Sequence, residues 1–196
     1  MKEIALIVCI GPDNVIGIDN KLPWNSKQDF YHFKKQTTGY PCIFGDKTFD
    51  SLKYKPLKNR LNIRASLDCK ETEVCDVSTV SSEGITKKGL YINVPSIEKG
   101  IELCNNYDKI FICGGAAIYK YCIEKNLINT IYLTQIISPT LDKQIKENPA
   151  LYVRFPINIL DIIRNNWVRV PFKYEKDELP EENEDITVLF KKWYKI

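Results

Sequence analysis

Hydrophobic positions in this chain fall into short unbroken runs separated by polar, turn-forming stretches. Ile4-Ala5-Leu6-Ile7-Val8-Cys9-Ile10 is continuously apolar and stops at Gly11-Pro12-Asp13. A run without polar alternation predicts a strand covered on both faces, the habit of parallel sheets. Shorter runs at 41–45, 61–66, 90–93 and 109–113 predict further strands, and 130–136 adds one rich in β-branched residues. Two late strands are expected near 167–174 and 186–194. Residues 11–24 read as a long loop rich in Gly, Asp, Asn and Pro. Helical segments are expected over 28–37, 48–52, 95–104 (with Ser96 as N-cap) and 116–123. The alternation predicts an α/β fold: a mostly parallel sheet of about eight strands, flanked by about four helices. The last two strands have no helix between them, so they should form an antiparallel hairpin at one edge.

Composition narrows the class. The 196 residues are 44% hydrophobic and 27% charged, which is ordinary for a globular chain. One domain, residues 1–196, is the default for this length. The net charge of +3 is too small to argue for a nucleic-acid partner. Residues 175–185 concentrate seven acids against Lys176 and read as a solvated hairpin tip. That leaves the remainder of the chain more basic, a weak hint of an anionic ligand.

The seven cysteines include no C-x-x-C pair and read as free thiols. The single histidine, His32, excludes a zinc site built on two histidines, and no metal is called for. No apolar run approaches the ~18 residues of a membrane helix. The expectation is a cytoplasmic protein without membrane contact, most simply a monomer.

Five local patterns offer chemistry, each with a bland alternative. Asp29 shares a helix face with the apolar Phe33 and follows Leu22-Pro23-Trp24. It is either a buried functional acid or a helix-start acid favoured by the dipole. Cys113-Gly114-Gly115-Ala116-Ala117-Ile118-Tyr119 carries a strand into a helix. That geometry suits a phosphate, but two glycines also make a plain tight turn. Lys47-Thr48 sits at a similar junction, where capping is an equal reading. Arg60 either forks onto a carboxylate or is a surface arginine. Thr134 is either a site hydroxyl or an ordinary strand threonine.

In this order and spacing, the pieces resemble the dihydrofolate reductase family. Asn14-Val15-Ile16-Gly17-Ile18-Asp19-Asn20-Lys21-Leu22-Pro23-Trp24 resembles the family's active-site loop, and Asp29-Phe30-Tyr31-His32-Phe33-Lys34 its acid-bearing helix. Ile43-Phe44-Gly45-Asp46-Lys47-Thr48-Phe49-Asp50-Ser51-Leu52, Lys55-Pro56-Leu57-Lys58-Asn59-Arg60-Leu61-Asn62-Ile63, the 112–119 turn and Ile131-Tyr132-Leu133-Thr134 complete the likeness. It covers residues 4–66 and 109–136 well and 137–185 poorly.

The resemblance implies reduction of dihydrofolate to tetrahydrofolate by hydride from NADPH, in support of one-carbon metabolism and thymidylate synthesis, with antifolates as further ligands. It implies that Asp29 pins the pterin and favours its protonation, that Trp24 holds the water delivering the proton, and that Thr134 shares the hydrogen-bond network. Ile7, Val8, Phe33, Leu52 and Leu57 would wall the substrate, and Arg60 would hold its carboxylate tail. Cys9, Ile16, Gly17, Gly45, Lys47, Thr48, Ser66, Cys113, Gly114, Gly115, Ala116, Ala117, Ile118 and Tyr119 would face the cofactor. A cis Gly114–Gly115 peptide and a lid formed by residues 13–24 are also implied. The length is filled by one reductase domain, without a fused thymidylate synthase.

Several positions depart from the family pattern. Asp46 stands where a basic residue is usual, and Leu67 follows Ser66 where a basic or small polar residue greets the cofactor's 2′-phosphate. A weakened preference for NADPH over NADH follows. Arg64 is a charge inside a strand that the family fills with apolar residues. The stretch 139–154 is longer than usual, with Asp142 as a stand-in for an acid that braces the lid. Two other readings are weighed: a riboflavin-pathway pyrimidine reductase, which needs neither Trp24 with Asp29 nor the Arg60 segment, and a non-catalytic folate- or nucleotide-binding homologue.

Overall fold

The structure, a computed structural model, describes residues 2–80, 86–163, 166–175 and 177–196. In chain order the strands are β1 (Glu3–Ile10), β2 (Val15–Ile18), β3 (Cys42–Gly45), β4 (Asn62–Ala65), β5 (Glu73–Val80), β6 (Thr86–Val94), β7 (Lys109–Ile112), β8 (Thr130–Ile137), β9 (Tyr152–Arg154), β10 (Trp167–Val170) and β11 (Thr187–Lys195). The helices are α1 (Lys27–Thr37), α2 (Asp46–Ser51), α3 (Ile97–Leu103), α4 (Ala116–Glu124), α5 (Pro139–Glu147) and α6 (Ile159–Ile163).

Nine strands form one mixed sheet in the order β10-β11-β8-β1-β7-β3-β4-β6-β5. The six strands from β8 to β6 in that order pair in parallel. The expected antiparallel hairpin is present, with β10 on β11 and β11 on β8. The other edge is antiparallel too, through β5 on β6. Strand β5 is absent from the sequence reading, and α5 and α6 raise the helix count above the expected four.

The apolar run of β1 is central because both its faces are buried. Leu6, Val8 and Ile10 enter one core layer with Ile43, Ile63, Ile112 and Leu133. Ala5 and Ile7 enter the other with Phe44, Phe49, Phe111 and Tyr132. Full burial of one such Leu or Ile contributes roughly 1.5–3 kcal/mol, which fixes the strand's position and register. Successive strand side chains point to opposite faces, so one uninterrupted run serves two layers.

Residues 11–24 are more ordered than a plain loop. β2 pairs with β9 in a separate two-stranded sheet. Asp19 and Asn20, both at positive φ, close a tight turn in which the backbones of Ile18 and Lys21 exchange hydrogen bonds of 2.8 and 2.9 Å. Asp and Asn tolerate that conformation better than most residues. The N-terminal part of this segment is fastened by Arg154, whose Nε and Nη2 donate to Asp13 Oδ2 at 2.9 and 2.7 Å. Asp142 is offered by the sequence as a stand-in for a bracing acid. It lies on α5 and bonds Lys146 of the same helix at 2.5 Å. Helix α5 instead packs Leu141 and Ile145 against Val15, Trp24 and Ile136. Among the described residues, no helix is long and apolar enough to cross a membrane.

Candidate active site

Helix α1 is started by Ser26, whose hydroxyl accepts from the Asp29 backbone N–H at 3.1 Å. The cap is therefore Ser26, and the Asp29 side chain is free for another task. Asp29 is buried. In the β1–β8 register Cys9 and Thr134 are neighbours, and both side chains hydrogen-bond the Asp29 carboxyl. Burial pushes that carboxyl up from 3.8 to about 6; Thr134 and Cys9 pull it down, and Glu182 pushes it up further. Desolvation dominates, as in acids held for chemistry near neutral pH.

Trp24 reaches the same Cys9 thiol that bonds this acid. Its ring packs with Val15, Ile136 and Leu141, and a Cβ on Gly11 would stand 2.7 Å from Trp24 Cζ3. Its indole N–H is buried and faces the Cys9 thiol, a weak acceptor. A buried donor so weakly matched gains from a better acceptor such as water. Burial also raises the Cys9 thiol well above its usual range, with the Asp29 charge second. Cys9 thus remains a neutral thiol.

An apolar wall leads away from Asp29. Phe33, Leu52 and Leu57 are half-buried and pack on the layer that holds Ile7. The Val8 side chain turns into the opposite layer, so the structure separates it from these four. Arg60 closes the row: its guanidinium carbon sits 5.7 Å from the Phe33 ring centroid, and its Nε is buried without a partner among the described residues. Asn62 organises this corner. Its side chain bonds both the N–H and the carbonyl of Leu57 at 2.8 Å and the carbonyl of Arg60 at 3.0 Å. Nothing in the spacing of Asn62 singled it out.

The ends of β3 and β7 form a second half of the site. Gly45 N–H donates to the Gly114 carbonyl at 2.7 Å. The Gly114–Gly115 peptide is cis, and Gly114 has φ +99°. A Cβ at Gly115 would stand 2.9 Å from Thr48 Oγ1, and one at Gly45 2.8 Å from Ile118 Cγ1. These glycines let the Thr48 and Ile118 side chains pack directly on backbone at the mouth of the sheet. Helix α4 begins at Ala116 with no side-chain cap, so its first N–H groups remain available to an anion. Lys47 is exposed and Thr48 half-buried at the start of α2. Tyr119 is buried and donates to the Ile7 carbonyl at 2.7 Å, tying this half to the first. Cys113 is buried between the halves, and Ile16 packs on the Val8 layer. Gly17 lies on β2.

Beyond β4, Ser66 borders a cleft of about 540 Å3 whose walls include Arg64, Lys70, Glu71, Glu73 and Asn93. Arg64, unexplained by the sequence, pairs with Asp46 at 3.1 Å and Asp50 at 3.3 Å. Leu67 is almost fully exposed and adds no charge.

His32 is not part of the site. It stacks on Phe190 at 4.6 Å, and its Nδ1 bonds the Tyr174 hydroxyl at 2.6 Å. Burial lowers it to about 3, which keeps it neutral. All seven cysteines are free, and the described residues contain no cluster of three or more metal-ligating side chains.

The dihydrofolate reductase family model matches residues 3–147. The chain is 28% identical over 159 residues to a bifunctional dihydrofolate reductase-thymidylate synthase from Paramecium tetraurelia, covering 80% of this chain. It spans 30% of that relative's length. It is 35% identical over 132 residues to dihydrofolate reductase from Haemophilus influenzae, covering 67% of this chain and 71% of the relative. A Candida albicans dihydrofolate reductase is 28% identical over 179 residues, covering 86% and 81%.

Proposed function

The chain belongs to the dihydrofolate reductase family, and from that premise we propose that it reduces 7,8-dihydrofolate to tetrahydrofolate with a nicotinamide dinucleotide as hydride donor. The observation that carries this reading is Asp29: a buried carboxyl, held by Cys9 and Thr134 and raised to about 6, at one end of an apolar wall that Arg60 closes at the other.

A planar pterin lies between Ile7, Phe33, Leu52 and Leu57, which exclude water from it. Asp29, ionised above about 6, accepts from the pterin's amino and ring N–H groups. Its charge favours the protonated ring, and protonation makes the imine carbon electrophilic. Thr134 keeps the carboxyl oriented by donating to it. The Trp24 N–H, matched only weakly by the Cys9 thiol, holds the water that carries the proton inward. Arg60 forks onto the substrate's carboxylate tail.

The glycine-lined junction of β3 and β7, with the uncapped start of α4, fits a dinucleotide. The backbone N–H groups from Ala116 onward, with Lys47 and Thr48, would hold its phosphates, and Ser66 would face its adenosine end. When bound, the nicotinamide supplies the hydride. The 2′-phosphate has a thin clamp: Arg64 is engaged by Asp46 and Asp50, and Glu71 and Glu73 share the cleft. NADPH remains the expected donor, with a weaker advantage over NADH than an unpaired arginine would give.

The test is loss of reduced-nicotinamide absorbance with dihydrofolate and either NADPH or NADH. Turnover with both, and a modest ratio of Michaelis constants, is expected. A large NADPH preference would remove the account of the Arg64 cleft. A folded protein that binds antifolate without turning over would be a binding homologue instead.

A further inference from the structure

The acidic segment between β10 and β11 has the composition of a solvated tip, yet one of its carboxylates reaches the helix that bears Asp29. Glu182 accepts a hydrogen bond from Ser26 Oγ. The same Oε2 accepts from Gln28 N–H at 3.0 Å, and Oε1 lies 3.4 Å from Lys27 N. Gln28 Nε2 donates to the Pro180 carbonyl at 3.0 Å. Ser26 is fully buried and accepts in turn from Asp29 N–H. A continuous chain of hydrogen bonds thus runs from Glu182 through Ser26 to the Asp29 backbone.

An N-cap serine satisfies one of the four orphan N–H groups at a helix start and leaves the others to water. Here a carboxylate more than 150 positions away takes two further N–H groups. The same segment repeats the arrangement at α5, where the N-cap Ser138 donates to Asp185, as does Thr140 at 2.8 Å. The segment therefore closes the N-termini of the two helices that flank Trp24.

Building on the reductase reading, we propose that Glu182 is a positioning residue for the reaction: by closing the N-terminus of α1 it sets the placement and the charge environment of Asp29. The physical case is electrostatic as well as geometric. The N-terminus of α1 carries partial positive charge, which by itself would favour an ionised Asp29. Glu182 offsets that charge. Burial opposes ionisation of Glu182, but donation from Ser26, Gln28, Asn183 and Lys27 outweighs it and holds the carboxyl below its usual range. It stays ionised at neutral pH and pushes Asp29 upward. The other groups that face Asp29 are Cys9 on β1 and Thr134 on β8, with the neutral Tyr119 of α4 further off.

The test is a carbon-13 NMR titration of the aspartate carboxyls in the unliganded protein, with Asp29→Asn assigning the signal. Glu182→Gln should move the Asp29 midpoint to lower pH by on the order of half a unit. In the substrate complex one proton is shared between Asp29 and the pterin, so removing the Glu182 charge weakens the hold on it as well: the falling limb of the kcat profile should move the same way, roughly a threefold loss of kcat above its midpoint, with KM for dihydrofolate little changed. Glu182→Asp should restore much of the midpoint, and Asp185→Asn should leave it in place. An unmoved Asp29 midpoint in folded Glu182→Gln overturns the proposal. A moved midpoint in a protein that never turns over would sink the reductase reading and spare the coupling.

Discussion

Asp29→Asn should make the protein more stable at neutral pH, because the site holds a carboxylate where burial opposes one. An Asp in the unfolded chain titrates at 3.8 and Asp29 in the fold at about 6. A folded-state value raised above the unfolded one means stability is complete below 3.8 and is lost as pH rises through about 6. Above that window the ionised side chain costs on the order of 3 kcal/mol relative to a neutral one. Asn keeps the shape and is neutral throughout, so the variant should exceed the parent by up to about 3 kcal/mol at pH 8. By pH 4.5 most of Asp29 is protonated in the fold, and the gap should shrink to roughly 1 kcal/mol. His32 also titrates over this range, but it does so equally in both proteins, and its contribution cancels in the difference. Urea unfolding followed by tryptophan fluorescence at both pH values measures the gap. A variant no more stable than the parent at pH 8, or a gap independent of pH, would refute the reasoning.

Two further outcomes follow from other parts of the site. Arg60→Gln should raise KM for dihydrofolate roughly 10- to 100-fold, the worth of a lost charge-assisted fork, and leave kcat within about twofold; a fall in kcat alone would place Arg60 elsewhere in the reaction. Arg154→Gln frees Asp13, so amide exchange across residues 13–24 should quicken while global stability changes by less than about 1 kcal/mol, as expected of an exposed pair; unchanged exchange would show that β2–β9 pairing alone holds the lid.

What the sequence disclosed depended on whether the cause was local. The β1 run announces two buried faces by lacking any polar position, and its register then places Cys9 beside Thr134. Ser26 and Asp29 lie three residues apart, so the cap and the freed acid belong to one turn. β5 escaped because it is an edge strand: Val74 is 69% exposed, and its neighbours Glu73 and Asp76 are exposed too. β2 was concealed by its Asp- and Asn-rich flanks, which form the turns that let it pair. Helix α5 does carry a signal, with Ser138 as cap and Pro139 after it, but the segment is longer than the family pattern provides for. The Asp13–Arg154 and Ser26–Glu182 contacts each join residues more than 140 positions apart. Nothing local distinguishes Glu182 from Glu181 or Glu184. Arg64 looked anomalous in its strand until α2 brought Asp46 and Asp50 over it.

The central claim is that the Asp29 carboxylate promotes hydride transfer by favouring the protonated pterin. The most direct measurement is the single-turnover rate of hydride transfer to dihydrofolate from pH 5 to 9, for the parent and for Asp29→Asn. The account predicts a parent rate that falls as pH rises and the bound pterin loses its proton, and a variant slowed by at least about 100-fold at pH 7. The variant should recover toward low pH, where the substrate is protonated from solution. A variant that keeps the parent rate and pH profile would contradict the account.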